Sequence, residues 1–452
     1  MAEGGRFSGR DCWFLIVLGA IYMFNFVDRT IIAVVGEAIR RDLRLSDLQL
    51  GLMGGLAFSL FYAGLGIPLA RLAERHSRVR IIAVVTALWS LMTMLSGAAG
   101  NFIQLLLCRM GVGIGEAGFT PALVSMISDR FQPSRRSVAF SLVALGVPLG
   151  GAIAAVIGGA VAQAFGWRLA FVAVGAPGLL LALILIMTID EPARMDAGDK
   201  RDTPSFGAVL RRLGQSPAFL HLTCGSGLVG LVGFGLNLFL IPLLVRVHHL
   251  SLPKAGLIFA LSFSLATAVG TTTGGYVNSV LARRDLRWSG WAPALAITIA
   301  LPLYLAAIHQ SDWRLLIGLL FCATAALYAF LPAIMTVTQS LVEPRMRASA
   351  AALHAFGQTV AGLGIGSVLL GYLSDRLAAR VFAGDYRASC LAATGQPAPD
   401  CLAASATGLQ QAMLLAGLVL LVAIYNYVRA ARALSHEITA SSAGRMAEVP
   451  AG

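Results

Sequence analysis

Residues 102–124 read FIQLLLCRMGVGIGEAGFTPALV, an apolar run interrupted by Arg109 and Glu116. At 1.5 Å of rise per residue, about 20 such positions cross the hydrocarbon layer of a bilayer, so the run is long enough to span it as a helix. A second run, 13–35 (WFLIVLGAIYMFNFVDRTIIAVV), carries Asp28 and Arg29. A charge at membrane depth costs at least ~2.5–3.5 kcal/mol on insertion scales, so it faces a cavity or a partner and marks a transport path. Asp28, Arg109 and Glu116 thus point to an ion-coupled carrier.

The rest of the chain agrees with a membrane setting. Of its 452 residues 57% are hydrophobic and 12% charged, and mean hydropathy is +0.78. An average soluble domain is roughly 25% charged, and so few charges could not cover a soluble core of this size. An all-α membrane protein is expected, with twelve apolar spans at 13–35, 48–70, 81–99, 102–125, 138–164, 168–189, 218–245, 255–281, 289–308, 314–341, 350–375 and 408–430. Glycine-rich stretches such as GVGIGEAG and GVPLGG suit close helix approach in lipid, where burial of apolar surface drives little.

The net charge of +12 is a topology signal. With the N-terminus inside, inner loops and tails hold more than twice the Lys and Arg of the outer loops, which places both termini in the cytoplasm and leaves no nucleic-acid footprint. The first span reads as an uncleaved signal anchor. No Asn-x-Ser/Thr sequon occurs, which favours a bacterial source and its inner membrane. Cys12, Cys108, Cys224 and Cys322 read as packing residues. Cys390 and Cys401 share a polar loop and could form a disulfide if that loop is extracytoplasmic.

The longest polar interruption, 190–216, divides the chain into bundles at 1–189 and 217–452, joined by a cytoplasmic linker. LSDLQLGLMGGLAFSL from Leu45 matches LSLPKAGLIFALSFSL from Leu250, and PSRRSVAFSLVALG from Pro133 matches PRMRASAAALHAFG from Pro344. Copies of six spans share one orientation, a parallel repeat with a cavity between the halves.

Arg109 and Glu116 are two helical turns apart on one face, roughly 10 Å along the axis. Asn25 and Asp28 share a face of the first span. If the two spans are neighbours, Asp28 could pair with Arg109, and Glu116 lies within reach of Arg29 or substrate. A poorly solvated carboxylate resists ionisation and a nearby arginine opposes that effect, so a conformational change could trigger proton uptake or release. In this reading Asp28 and Glu116 carry the proton, Arg109 tunes them, and an anionic headgroup competes for Arg109 or Arg29. The competing reading is a static buried ion pair that fixes helix packing.

These motifs resemble the major facilitator superfamily. RLAERHSRVR (Arg71–Arg80) is similar to the signature loop after its second span, Arg109-M-G-V-Gly113-I-Gly115 to its R-x-x-x-G-x-G, and Gly146-V-Pro148-L-Gly150-Gly151 to its Gly-Pro motif, which helps the halves rock. Within the superfamily, Asn25-F-V-Asp28-Arg29, Trp89-Ser90 and Arg109-M-G-V-G-I-G-Glu116-Ala117 resemble the Spinster family. The resemblance implies an alternating-access, proton-coupled carrier of lipid-like or amphipathic anions of lysophospholipid or sphingolipid type. The Asp-Arg pair also resembles organic anion:proton symporters. By resemblance Glu74, supported by Arg71, Arg75 and Arg78, latches the cytoplasmic side against the N-terminus of the eleventh span.

Candidate substrate contacts are Arg29, Asn25, Arg109, Glu116, Tyr62, Phe119, His354 and Gln358, with Asn237, Thr336, Thr338 and Gln339 as weaker polar ones. Phe58, Phe61, Phe234 and Phe356 could hold an acyl chain. His248-His249 has no third ligand, so no metal is expected, and catalytic signatures and a Walker loop are missing, so neither an enzyme nor an ATP-driven pump is expected. The expected energy source is a proton gradient, with no cofactor. The expected partners are substrate, protons and membrane lipids, and the expected state is a monomer.

Overall fold

The computed structural model describes residues 7–193, 206–342, 346–391 and 398–447; inside the helices a few side chains, including those of Glu74 and Gln339, are outside the description. Among the described residues there is no strand, and twelve helices are long and apolar enough to cross a membrane. The first six are α1 (Gly9–Leu43), α2 (Asp47–Gly66), α3 (Arg78–Ala98), α4 (Phe102–Arg130), α5 (Val138–Phe165) and α6 (Trp167–Thr188). The second six are α7 (Pro217–Arg246), α8 (Leu252–Arg284), α9 (Trp288–His309), α10 (Trp313–Thr338), α11 (Ser349–Val381) and α12 (Pro399–Leu434). Helices satisfy every backbone hydrogen bond within the segment, which lipid demands. They form two six-helix bundles, and even span numbers bring the start of α1 and the end of α12 to one side.

The ends of the bundle pair differ. One buried apolar cluster runs across both halves, from Val27–Met53 of α1 and α2 to α7–α12. A second cluster has all its buried members in the first half, Phe14–Ile21 with the opposite ends of α2–α6, and only Leu363 of α11 packs against it from the second. The halves are therefore packed together at the end bearing Arg44–Ser46, the sealed end. Toward the other end the first half keeps a core of its own, and α5 up to Ala144 and the start of α11 pack chiefly inside their own bundles.

The seams between halves run between α2 and α11 and between α5 and α8, and glycines line them. A Cβ on Gly55 would meet the Leu363 carbonyl and the Ser367 side chain, and one on Gly256 would meet the Ala155 carbonyl. All four seam helices carry a widened π turn near mid-length: Leu52–Leu56, Ala154–Gly158, Ala260–Leu265 and Thr359–Gly366. Such turns in α-helices are frequent at functional sites.

The sequence reads 190–216 as the longest polar interruption and a linker, yet within it Phe206–Gly214 forms a short helix. Its Val209 and Leu213 are buried with Phe219, Val342 and Ala350 of the second half.

Candidate functional site

Four charged side chains meet between α1 and α4. Arg109 donates through Nη1 to Asp28 Oδ1 at 3.3 Å. Arg29 donates through Nε to Glu116 Oε2 at 2.5 Å. The two residues adjacent on α1 thus pair with residues two turns apart on α4, in the partnership that the spacing suggests. Asp28, Arg109 and Glu116 are all at most 2% exposed, whereas the Arg29 side chain keeps 24% exposure. Arg29 is therefore the member of the set that solvent reaches.

Glycine at alternate positions of α4 makes the site possible. A Cβ on Gly113 would stand 2.6 Å from the Phe58 carbonyl oxygen, and one on Gly115 would stand 2.9 Å from Trp89. Without side chains there, α2 and α3 lie directly against α4. Phe58 then comes within 5.0 Å of the Arg29 guanidinium and 6.0 Å of that of Arg109. Tyr62, stacked on Phe58, and Phe26 complete a three-ring box around Arg29 at 4.5 and 5.1 Å. On the other flank Gly146 and Gly150 of α5 press against the Gly19–Val27 backbone of α1, one turn before the charges.

The set is not saturated with protein partners. Both side-chain atoms of Asn25, Oδ2 of Asp28, Nε of Arg109 and Oε1 of Glu116 are buried without a hydrogen-bond partner. Buried polar atoms are nearly always satisfied, so a cluster of open ones is a place for water, a proton or a ligand group.

The remaining candidates separate. Phe119 is 1% exposed, with its ring against Trp89 and Tyr22. An aromatic at helical spacing fits packed core and cavity wall alike. His354 is buried near the start of α11, with Thr223 Oγ1 at 3.4 Å, and its Nε2 has no partner. Gln358, one turn on, is half-buried beside Gly230. Phe356 is exposed and Phe58 buried. Asn237 and Phe234 are half-buried, as is Phe61. Thr336 accepts from Asn278, and Thr338 is buried, whereas the Gln339 side chain lies outside the described residues.

Arg71 and Arg75 are exposed at the last turns of the helix that continues α2, and the Glu74 side chain lies outside the described residues. Arg78 differs from the expected latch residue. It is 1% exposed and is tied to Asp129, to Glu191 at 2.7 Å, to Ser125 at 2.9 Å and to the Pro192 carbonyl at 2.7 Å. It therefore fastens α3 to α4 and to the chain leaving α6, all within one half. Partial burial works against the Glu191 charge, but the Ser77 hydroxyl, the Val79 N–H and Arg78 outweigh it and hold the carboxyl below its ordinary value. His248 rests on the Ser311 carbonyl at 3.2 Å, and burial lowers its pKa.

A second charged cluster went unread in the sequence. At the sealed end Arg246 of α7 donates a fork of two 2.7 Å bonds to Asp47 of α2, and a third at 2.7 Å to Glu37 of α1. Arg40 and Arg41 also donate to Glu37, at 3.1 and 2.9 Å. Ser374 of α11 donates to Asp47 at 2.6 Å, and Asp375 accepts the Asp47 and Leu48 backbone N–H groups at 3.0 and 2.8 Å. A carboxylate thus caps a helix N-terminus across the halves, the chemistry expected of Glu74 but at the other end. One signal existed: Leu373-Ser-Asp375-Arg376 repeats the order of Leu72-Ala-Glu74-Arg75.

The family model for the Major Facilitator Superfamily matches residues 18–365. An MFS-type efflux pump of Mycolicibacterium smegmatis is 33% identical over 380 residues, covering 82% of this chain and 86% of that protein. A probable L-galactonate transporter of Escherichia coli is 29% identical over 282 residues, 60% of this chain and 62% of that one. In the solved structure of a bacterial homolog to the human lysosomal transporter Spinster, described as inward-facing and unoccupied, 34% of residues are identical; the TM-score is 0.87, with 96% of this chain and 99% of that one covered.

Proposed function

The chain belongs to the major facilitator superfamily, a family of membrane transporters and not of enzymes, and on that premise we propose that it is a proton-coupled secondary carrier of an anionic amphipath. The observation that carries the reading is the double pair Arg109–Asp28 and Arg29–Glu116 with open polar atoms around it. Two cations and two acids balance. An anion reaching the partly exposed Arg29 competes with Glu116, and a displaced carboxylate in a dry site takes a proton. Substrate and proton then share one group, so the occupancy of one alters the affinity for the other. Asp28 and Arg109 supply a second such exchange deeper in the wall. The rings of Phe26, Phe58 and Tyr62 hold Arg29 in place and give an apolar surface beside the anion-binding group, which suits a headgroup with a chain attached.

Two independent features support an orientation with the sealed end outside: the bias of Lys and Arg toward the loops of the other side, and the Cys390–Cys401 disulfide at the sealed end, which suits an oxidising compartment. In this reading the protein sits in a bacterial inner membrane, with both termini cytoplasmic and the cavity open inward. A second reading, symport of a small organic anion, is favoured by the likeness to the probable L-galactonate transporter.

The test is uptake into proteoliposomes under an imposed pH gradient, offering a lysophospholipid and a sugar acid separately. Asp28→Asn and Glu116→Gln are expected to lose gradient-driven accumulation while keeping exchange of labelled for unlabelled substrate. If both variants accumulate substrate as the wild type does, coupling through these acids is wrong. Accumulation of the sugar acid alone selects the second reading.

A further inference from the structure

The disulfide at the sealed end has no role in the exchange just described, yet it holds a small core of its own. Cys390 and Cys401 are bonded across 11 positions, and Cys401 is buried in the first turns of α12. Around them Tyr386 packs with Ala378 and Ala404, backed by Phe382 and Leu391, and the Phe382 and Tyr386 rings meet at 5.8 Å. This core lies directly on the sealed-end charges. The Tyr386 hydroxyl reaches Ser405, beside Arg40, Asp47 and Arg246, and burial raises its pKa. Ser405, one turn after Cys401, in turn accepts from Arg246 at 3.1 Å.

The two halves contribute unequally to this end. Glu37, Arg40 and Asp47 come from the first half; Arg246, Ser374, Asp375, Tyr386 and Ser405 come from the second. The segment carrying Tyr386 is anchored to its own half by the disulfide and faces Arg40 and Asp47 of the other half. Tyr386 is buried beside those charges and shields them on its side from water. Shielded charge pairs are stronger than wetted ones, so a fixed cover raises the cost of parting them.

We propose that the Cys390–Cys401 disulfide positions Tyr386 as a plug over the Arg246–Asp47–Glu37 cluster, making the closure of this end dependent on oxidation. Reduction leaves the halves folded but lets the plug lift, and the sealed end opens more often. The inference rests on the alternating-access reading, so its test is read from the sealed end itself and not from transport.

The experiment is hydrogen–deuterium exchange of the full chain in lipid nanodiscs, with and without tris(2-carboxyethyl)phosphine, following the amides of residues 45–50 and 370–376. The Asp47 and Leu48 amides donate to Asp375, so their exchange reports separation of the halves. Reduction is expected to speed exchange there by about threefold or more, the range in which local opening is readily resolved. Cys390→Ser with Cys401→Ser should exchange at the reduced wild-type rate and ignore the reductant. Tyr386→Phe, which keeps the ring and the disulfide, should give part of the effect. Faster exchange confined to residues 385–391, with 45–50 unchanged on reduction, overturns the proposal whether or not the protein transports anything. Should the double serine variant fail to fold, reduction of the wild type still decides.

Discussion

Arg29 is gripped from two directions, by one carboxylate and by three rings, and that grip distinguishes it from a lysine in the same place. A guanidinium stacks flat on aromatic faces while an N–H still reaches Glu116; an ammonium cannot do both. Arg29→Lys is therefore expected to keep the charge, the fold and expression but lower gradient-driven uptake by about tenfold, since ~1.4 kcal/mol of lost pairing is a factor of ten; uptake equal to wild type shows that charge alone suffices there. Glu191 offers a pH test at the far end. Its folded pKa lies below the ordinary value, so it contributes stability that is complete above the unfolded pKa and is lost as pH falls through the folded one. The melting temperature in detergent should drop below about pH 4.5, the ordinary glutamate range, and Glu191→Gln should flatten that drop. An unchanged pH profile in the variant removes Glu191 from the account. At this scale the sequence was informative because charge in an apolar run is rare. The partnership of Asp28 with Arg109 and of Glu116 with Arg29 could be written down from helical spacing. Arg78 could not be assigned, because its partners Asp129 and Glu191 are 51 and 113 positions away and look like ordinary loop charges.

Helices here are shaped by what glycine leaves out. Gly113 and Gly115 let α2 and α3 touch α4, while Gly64 and Gly66 of α2 face open space. The two kinds give a matched experiment. Gly113→Ala must push back the Phe58 carbonyl, and overpacking of this sort costs about 1–3 kcal/mol. Gly64→Ala meets nothing and removes only the helix penalty of glycine, about 0.5–1 kcal/mol in the opposite direction. The first variant should melt lower and transport poorly through displacement of Phe58 from Arg29. The second should melt at or above wild type, and equal loss in both would mean that glycine content and not contact matters. Apolar length predicted every span, because about 20 greasy residues have few other uses. The π turns were invisible, since no residue pattern marks them; they fall where α2, α5, α8 and α11 meet across the seams. The Phe206–Gly214 helix was missed for a related reason: its apolar stripe of Val209 and Leu213 is too short to stand out among the ten charges of 190–212.

For the whole molecule the sequence shows two repeated halves but not which end they close at, because closure is an equilibrium between packings and not a property of either half. The charges decide it. α1 rises about 52 Å over its 35 residues, beyond the ~30 Å hydrocarbon layer, so Glu37, Arg40 and Arg41 stand at its far end where water enters once the halves part. Removing Arg246 would leave Asp47 and most of Glu37 buried with weakened pairing, a change worth ~3–5 kcal/mol for a buried pair. The protein has a cheaper outlet than unfolding: opening the end hydrates both acids. Even 2 kcal/mol spent on that equilibrium would change the ratio of open to closed about thirtyfold. Arg246→Ala should therefore melt within a few degrees of wild type while its sealed end opens. Spin labels at exposed Arg44 and Ser251, one on each half, should show a longer-distance population that wild type lacks. Asp375→Ala, which removes only the cap on the Asp47 and Leu48 amides, should shift the same population less. A variant that keeps the short distance and instead loses stability would make the cluster a rivet between the bundles and not a gate.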